Sequence, residues 1–173
     1  MLSMRGSPAL PLSAAGRAAP APPLYTDEQR RRRDATRWTL VQGVLAPVQF
    51  AVMLASVALV LHYLQTGEGL GWATGSVVLK TVLLYTIMVT GAIWEKVVFG
   101  QWLFAPAFFW EDVFSMAVIA LHTAFLVALW AGTPGPQGRM LIALAAYAAY
   151  TINALQFLAK LRAARRDEAR RRD

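Results

Sequence analysis

Charge is kept out of most of this chain. Fourteen of the seventeen Lys and Arg residues lie before residue 38 or after residue 159, leaving only Lys80, Lys96 and Arg139 between two basic flanks. About 20 apolar residues in helical form cross a hydrocarbon layer roughly 30 Å thick. Four stretches of that kind occupy the middle of the chain, at residues 40–64, 76–94, 113–131 and 140–161. The pattern predicts an all-α membrane protein, a four-transmembrane-helix bundle. The first stretch is long enough to span with some tilt, and Pro47 within it predicts a kink.

Composition agrees with this reading. Apolar residues make up 57% of the chain and charged residues 16%, whereas soluble domains average about 25% charged. A basic chain could serve nucleic acid, but that needs basic side chains gathered on a folded face. Here they flank apolar spans, so anionic lipid is the expected counter-charge and nucleic acid is not an expected partner. The absence of cysteine removes disulfides, thiolate nucleophiles, iron–sulfur clusters and thiolate zinc sites.

Residues 1–24 are an Ala/Pro/Ser/Gly mixture without the basic start, apolar run and cleavage site of a secretory signal, and are expected to be a disordered tail. The membrane domain is expected over residues 25–166, followed by a charged tail at 167–173. Within it, residues 25–37 predict a short polar helix capped by Thr26, with Asp27 and Glu28 in its first turn. Trp38 takes an interfacial position. Residues 65–75 and 132–139 read as turns. Residues 95–112, EKVVFGQWLFAPAFFWED, are charged at both ends and aromatic between. Gly100 and Pro106 punctuate this segment too strongly for it to cross, so it reads as an interfacial or re-entrant aromatic segment between the second and third spans. The basic flanks, and a first connection free of Lys and Arg, put both termini and residues 95–112 in the cytoplasm.

Glu95, Lys96, Glu111 and Asp112 bring three carboxylates and one ammonium to one membrane face. Carboxylates crowded in a low-dielectric pocket divide into a protonated acid and an ionised base. The alternative is interfacial anchoring, with salt bridges to Lys96. Glu111, Ser115 and His122 share one face of the third span, which puts His122 roughly 16 Å below Glu111. A buried histidine there could relay a proton, ligate the metal of a tetrapyrrole or hydrogen-bond a neighbouring helix. The fourth span presents Tyr150, Asn153, Gln156 and Lys160 at helical spacing, and the first presents Gln42 and Gln49. Such amides join helices or line a polar cavity. Gln42, Asn153 and Gln156 fall in the half nearest the carboxylates, whereas Gln49 reads as packing. Lys80, about 6 Å into its span, is expected to snorkel to the opposite face. These residues argue for a cytoplasm-facing, aromatic-rimmed polar pocket without naming a reaction.

The segments RRRDATRWTLVQGVLAPVQF, VLLYTIMVTGAIWEKVVFG, LFAPAFFWEDVFSMAVIALHTA and AAYTINALQFLAKLRAAR closely resemble the 3-vinyl bacteriochlorophyllide hydratase family (BchF, or chlorophyllide a hydratase). The similarity spans about residues 25–166, and GAIWEKVVFG and LFAPAFFWEDVFSM are its most specific pieces. The resemblance implies a lyase of bacteriochlorophyll biosynthesis in the inner membrane of anoxygenic phototrophs. Such an enzyme adds water to the 3-vinyl group of chlorophyllide a, or of a related bacteriochlorophyllide, to give a 1-hydroxyethyl product. It implies no cofactor, the magnesium being the chlorin substrate's own.

Markovnikov hydration needs a proton delivered to the terminal vinyl carbon and a water delivered to the inner one by a base. Two carboxyl groups suffice. Set against the residues, this chemistry assigns Glu95 or Glu111 as acid, Asp112 as base, and His122 as proton relay or magnesium ligand. Lys96 pairs with the substrate propionate, and Trp102, Phe108, Phe109, Trp110, Asn153 and Gln156 hold the macrocycle. Neighbouring pathway enzymes and a second copy of the chain are further expected partners. Two rival classes are a non-enzymatic pigment-binding or assembly subunit, with His122 as axial ligand, and a small four-helix drug exporter. The exporter needs a carboxylate deep within a span, and these carboxylates are interfacial.

Overall fold

The computed structural model describes residues 23–170. It contains α1 (Asp27–Ala35), α2 (Arg37–Thr66), α3 (Leu70–Phe99), α4 (Phe109–Ala131) and α5 (Pro136–Arg170), with no strand among the described residues. The last four are long and apolar enough to cross a membrane. The chain is a multi-pass membrane protein built as a four-helix bundle. The tail expected over residues 1–24 lies outside the described residues apart from its last two, and residues 171–173 lie outside them as well.

Thr26 caps α1 as its position predicts. Its Oγ1 accepts from the Gln29 amide at 3.2 Å, and Gln29 Oε1 accepts from the Thr26 amide at 2.9 Å, a reciprocal arrangement that satisfies two orphan donors. Arg31 and Arg32 donate to Glu28 at 2.8 and 3.0 Å and hold its carboxyl below the ordinary range.

The helices run further than hydropathy indicates. α3 begins at Leu70 rather than near residue 76, because Gly71 and Gly75 are absorbed into it, and the first turn shrinks to Gly67–Gly69. Gly67 and Gly69 adopt φ of 77° and 78°, a region that glycine enters without a Cβ penalty. At the other end α3 continues to Phe99 and α4 starts at Phe109, so the aromatic segment contracts to a loop of residues 100–108. α2 continues as helix through Pro47. α5 carries on to Arg170, into the stretch expected to be a charged tail.

α2 packs along α3 and α4 along α5, giving two antiparallel hairpins that meet through fewer contacts. Polar crosslinks fix their register. Within the first hairpin, Trp94 Nε1 donates to Thr39 at 3.0 Å, Gln42 to Thr90 at 2.8 Å and Lys80 to Gln49 at 2.7 Å, and Ser56 meets Ser76 at 2.7 Å. Ser56 also meets Tyr147 at 2.6 Å, and Tyr85 meets Thr123 at 2.7 Å, joining the two hairpins. In lipid such bonds and close packing hold helices together, since apolar burial between helices gains little there. Val60, Ala73, Val77, Phe125, Met140 and Ala143 form the buried core. Trp72 and Trp130, 77% and 90% exposed, mark one end of the bundle in the manner of an aromatic belt.

Lys80 corrects the expectation of snorkelling. From Leu70 its position is roughly 15 Å into the helix, and the side chain is 0% exposed. Its ammonium donates to Gln49 Oε1 and lies 3.6 Å from the centre of the Tyr150 ring. Gln49, expected only to pack, is its hydrogen-bond acceptor. Gln49→Leu therefore strands a buried ammonium and is expected to lower stability by about 1–3 kcal/mol. The double variant Gln49→Leu/Lys80→Met recovers most of that loss. Thermal unfolding in detergent tests this, and an additive double variant refutes it.

Candidate active site at one end of the bundle

The last turn of α3 carries Glu95 and Lys96, and the first turn of α4 carries Glu111 and Asp112, where acidic residues complement the helix dipole. The loop between them folds back over both ends. The Phe104 amide donates to Asp112 Oδ2 at 2.8 Å, and the next amide, Ala105, donates to Glu95 Oε2 at 3.2 Å. Phe104 reaches this arrangement with φ of 60°, a left-handed conformation that an aromatic residue holds only where its surroundings enforce it.

Glu95 and Asp112 also lie close enough for their side chains to interact. Two carboxyl groups buried side by side resist ionising together, so a single proton between them would stabilise the pair. Glu111 stands beside them and accepts from Lys160 Nζ at 2.6 Å. The three carboxylates are 5%, 7% and 4% exposed at Glu95, Glu111 and Asp112. The result is a buried pair that can give and take one proton, flanked by an ion pair.

Aromatic residues divide into two groups around this centre. Tyr25, Trp94, Phe99, Phe108 and Phe157 form an inner cluster with ring centroids 5.7–6.3 Å apart. Phe104, Phe109 and Trp110 form an outer row, with Phe109 5.8 Å from Phe104 and 5.5 Å from Trp110. All three outer rings are exposed, as is Trp102.

The structure gathers Glu95, Glu111 and Asp112, but it does not pair them with Lys96. That ammonium donates to the Gly100 carbonyl at 2.8 Å, capping the end of α3, and lies 5.9 Å from the Trp102 ring. The cation facing the acids is Lys160, half the bundle away in sequence. Its helical spacing with Asn153 and Gln156 was the one available signal. Phe108 is buried in the inner cluster, 2% exposed, rather than turned toward a pigment. Gln42 bonds Thr90 instead of lining the pocket. Asn153 donates to Ser115 at 2.8 Å, and Gln156 lies between Asn153 and Lys160 on α5. His122 is apart from the carboxylates. It is 0% exposed, with Nδ1 2.8 Å from the Val118 carbonyl and its ring 5.8 Å from that of Tyr147. Phe104, Trp94 and Tyr25 were not singled out by sequence reasoning, because loop geometry and not spacing brings them here.

A family model described as 2-vinyl bacteriochlorophyllide hydratase matches residues 25–163. A protein of that name from Cereibacter sphaeroides is 72% identical over 151 residues, covering 87% of this chain and 93% of the relative. One from Rhodobacter capsulatus is 68% identical over 142 residues, covering 82% of each. No solved structure matches the chain. With the family model covering α1 to α4 and most of α5, and both relatives sharing most of the chain's length, this chain belongs to the 2-vinyl bacteriochlorophyllide hydratase family.

Proposed function

We propose that this protein adds water to the vinyl group of a magnesium chlorin of bacteriochlorophyll biosynthesis, giving a 1-hydroxyethyl side chain. The relatives' names number the vinyl group 2 and the sequence resemblance numbers it 3; both are taken as the same substituent. The observation that carries the reading is the buried, adjoining pair of Glu95 and Asp112, held by the amides of a loop that also carries exposed aromatic rings.

A flat macrocycle entering from the interface stacks on Phe104, Phe109 and Trp110. Lys96 and Trp102, both on the exposed rim, meet its propionate. The protonated member of the carboxyl pair gives its proton to the terminal vinyl carbon as the C=C π bond opens. The inner carbon becomes a cation conjugated with the macrocycle. Water attacks that carbon while the ionised member takes the water's proton, so the pair ends with the single proton it began with. The net change is addition of H and OH, with no electrons exchanged, and we propose no redox cofactor. Glu111, held by Lys160, supplies a fixed negative charge beside the developing cation. Magnesium ligation by His122 fits this pose poorly. Roughly 16 Å of α4 separates it from Glu111, more than the reach from a macrocycle's centre to its vinyl group.

We further propose that this end of the bundle faces the cytoplasm across the inner membrane. Supporting this, the arginine-rich helix α1, the 100–108 loop and Lys160 all meet there, through Tyr25 on Phe99 and Phe108 and Lys160 on Glu111, and basic flanks favour the cytoplasmic side.

Membranes containing the protein, given vinyl pigment, are expected to yield a product heavier by one water. Glu95→Gln and Asp112→Asn should each lower kcat by about a hundredfold or more, while Glu111→Gln has a smaller effect. Full turnover in both of the first two variants refutes the assignment. Pigment that co-purifies at unchanged mass favours the non-enzymatic binding subunit. For sidedness, the cysteine-free chain allows single-cysteine mapping. An impermeant maleimide on intact cells is expected to label Glu68→Cys and spare Gln101→Cys, and the reverse pattern overturns the cytoplasmic placement.

A further inference from the structure

We propose that the interior seam between α4 and α5 holds a file of water molecules that supplies the reacting water to the Glu95–Asp112 pair from inside the bundle. The proposal rests on the hydratase reading and adds a route for the second substrate. Its basis is a count of donors and acceptors along one polar stripe. On α5 the stripe runs Tyr147, Tyr150, Asn153, Gln156 and Lys160, roughly 20 Å of helix. Facing it on α4 are His122, Ser115 and Glu111, paired in antiparallel order through His122–Tyr147, Ser115–Asn153 and Glu111–Lys160 contacts.

Three buried atoms along this seam have no hydrogen-bond partner: His122 Nε2, Asn153 Oδ1 and Gln156 Oε1. All three are acceptors. His122 Nδ1 faces a carbonyl, which can only accept, so Nδ1 carries the hydrogen and Nε2 a lone pair. The Asn153 amide nitrogen is committed to Ser115, leaving its carbonyl oxygen bare. Spare donors stand at the Lys160 end and beside Tyr150. An ammonium has three N–H groups; Lys160 gives one to Glu111 and Lys80 gives one to Gln49. A species that both accepts from the lysines and donates to the bare acceptors completes the set, and water does both. A metal cation would also suit the acceptors, but the two ammonium groups beside the seam repel it. Beyond Lys80 the Ser56, Ser76 and Tyr147 hydroxyls carry the polar track further from the carboxyl pair.

The route matters because the other approaches close. Both carboxyls are buried, and a pigment lying on Phe104, Phe109 and Trp110 would cover the side facing the interface.

Radiolytic hydroxyl labelling in heavy-oxygen water, performed without pigment, reads water near buried side chains directly. Tyr147 and Tyr150 are expected to label well above Phe125, a buried ring of the apolar core. Gln156→Leu and His122→Phe should reduce labelling at Tyr150 and lower kcat by about tenfold. Gln156→Asn should restore part of both signals, which a purely structural role does not predict. Labelling of Tyr147 and Tyr150 no stronger than that of Phe125 overturns the file. Loss of labelling with full turnover overturns its role as supply route. A wild-type protein that labels but leaves vinyl pigment unhydrated refutes the hydratase reading while the file itself stands.

Discussion

Hydrocarbon offers no hydrogen-bond partner, so every polar group within α2 to α5 must be satisfied from inside the protein. That constraint organises this bundle. Several polar side chains that enter the spans meet another at the same level of a neighbouring helix: Gln42 with Thr90, Gln49 with Lys80, Ser56 with Ser76 and Tyr147, Asn153 with Ser115. A shift of one residue would rotate these groups by about 100° toward lipid and leave them unpaired. Apolar side chains impose no such penalty, since they are as content against acyl chains as against one another. Register therefore rests on a few polar pairs, while the small and branched residues of the core set how closely the helices approach.

The same constraint explains what the sequence could disclose. Exclusion of charge marks the four spans because desolvating a charge is costly wherever the helix lies. It does not mark their ends. Residues 70–75 are rich in glycine, and residues 95 and 96 are charged, yet both stretches are helical, since backbone hydrogen bonding continues past the point where side chains stop being apolar. Misplacing the start of α3 shifted Lys80 toward the surface and turned a mid-bundle ammonium into an apparent snorkel. The three carboxylates were legible as charges that flank an aromatic run. Their partners were not. Lys160 reaches Glu111 only through the packing of α5 on α4, and the two amides that bind Asp112 and Glu95 depend on the left-handed turn at Phe104. No spacing rule encodes either contact.

Aromatic residues show the limit of composition most sharply. Phe108 and Phe109 are neighbours of one type, yet the first is enclosed among Tyr25, Trp94 and Phe157 while the second lies open beside Phe104 and Trp110. The junction between loop and helix decides this, because α4 begins at Phe109 and successive side chains on a helix point about 100° apart. One face of the segment thereby becomes a plug and the other a platform. A uniform aromatic stretch could have supplied only one of them.

Stability and chemistry are joined in the stripe that runs from Tyr147 to Lys160. Its upper members hold α4 against α5 through Ser115 and Glu111, and the Glu111–Lys160 bond sits beside the carboxyl pair. A buried ion pair is a weak source of net stability, because desolvating both charges offsets most of their attraction. Its clearer effect is on the neighbouring pair. With Lys160 committed to Glu111, the Glu95–Asp112 pair keeps the two loop amides as its partners. Replacing the ion pair with apolar residues could leave the bundle as stable, but it would remove the fixed charges that set the field at the reacting proton. The polar residues of this end thus hold three carboxyl groups in defined places within a medium that would otherwise expel their charge.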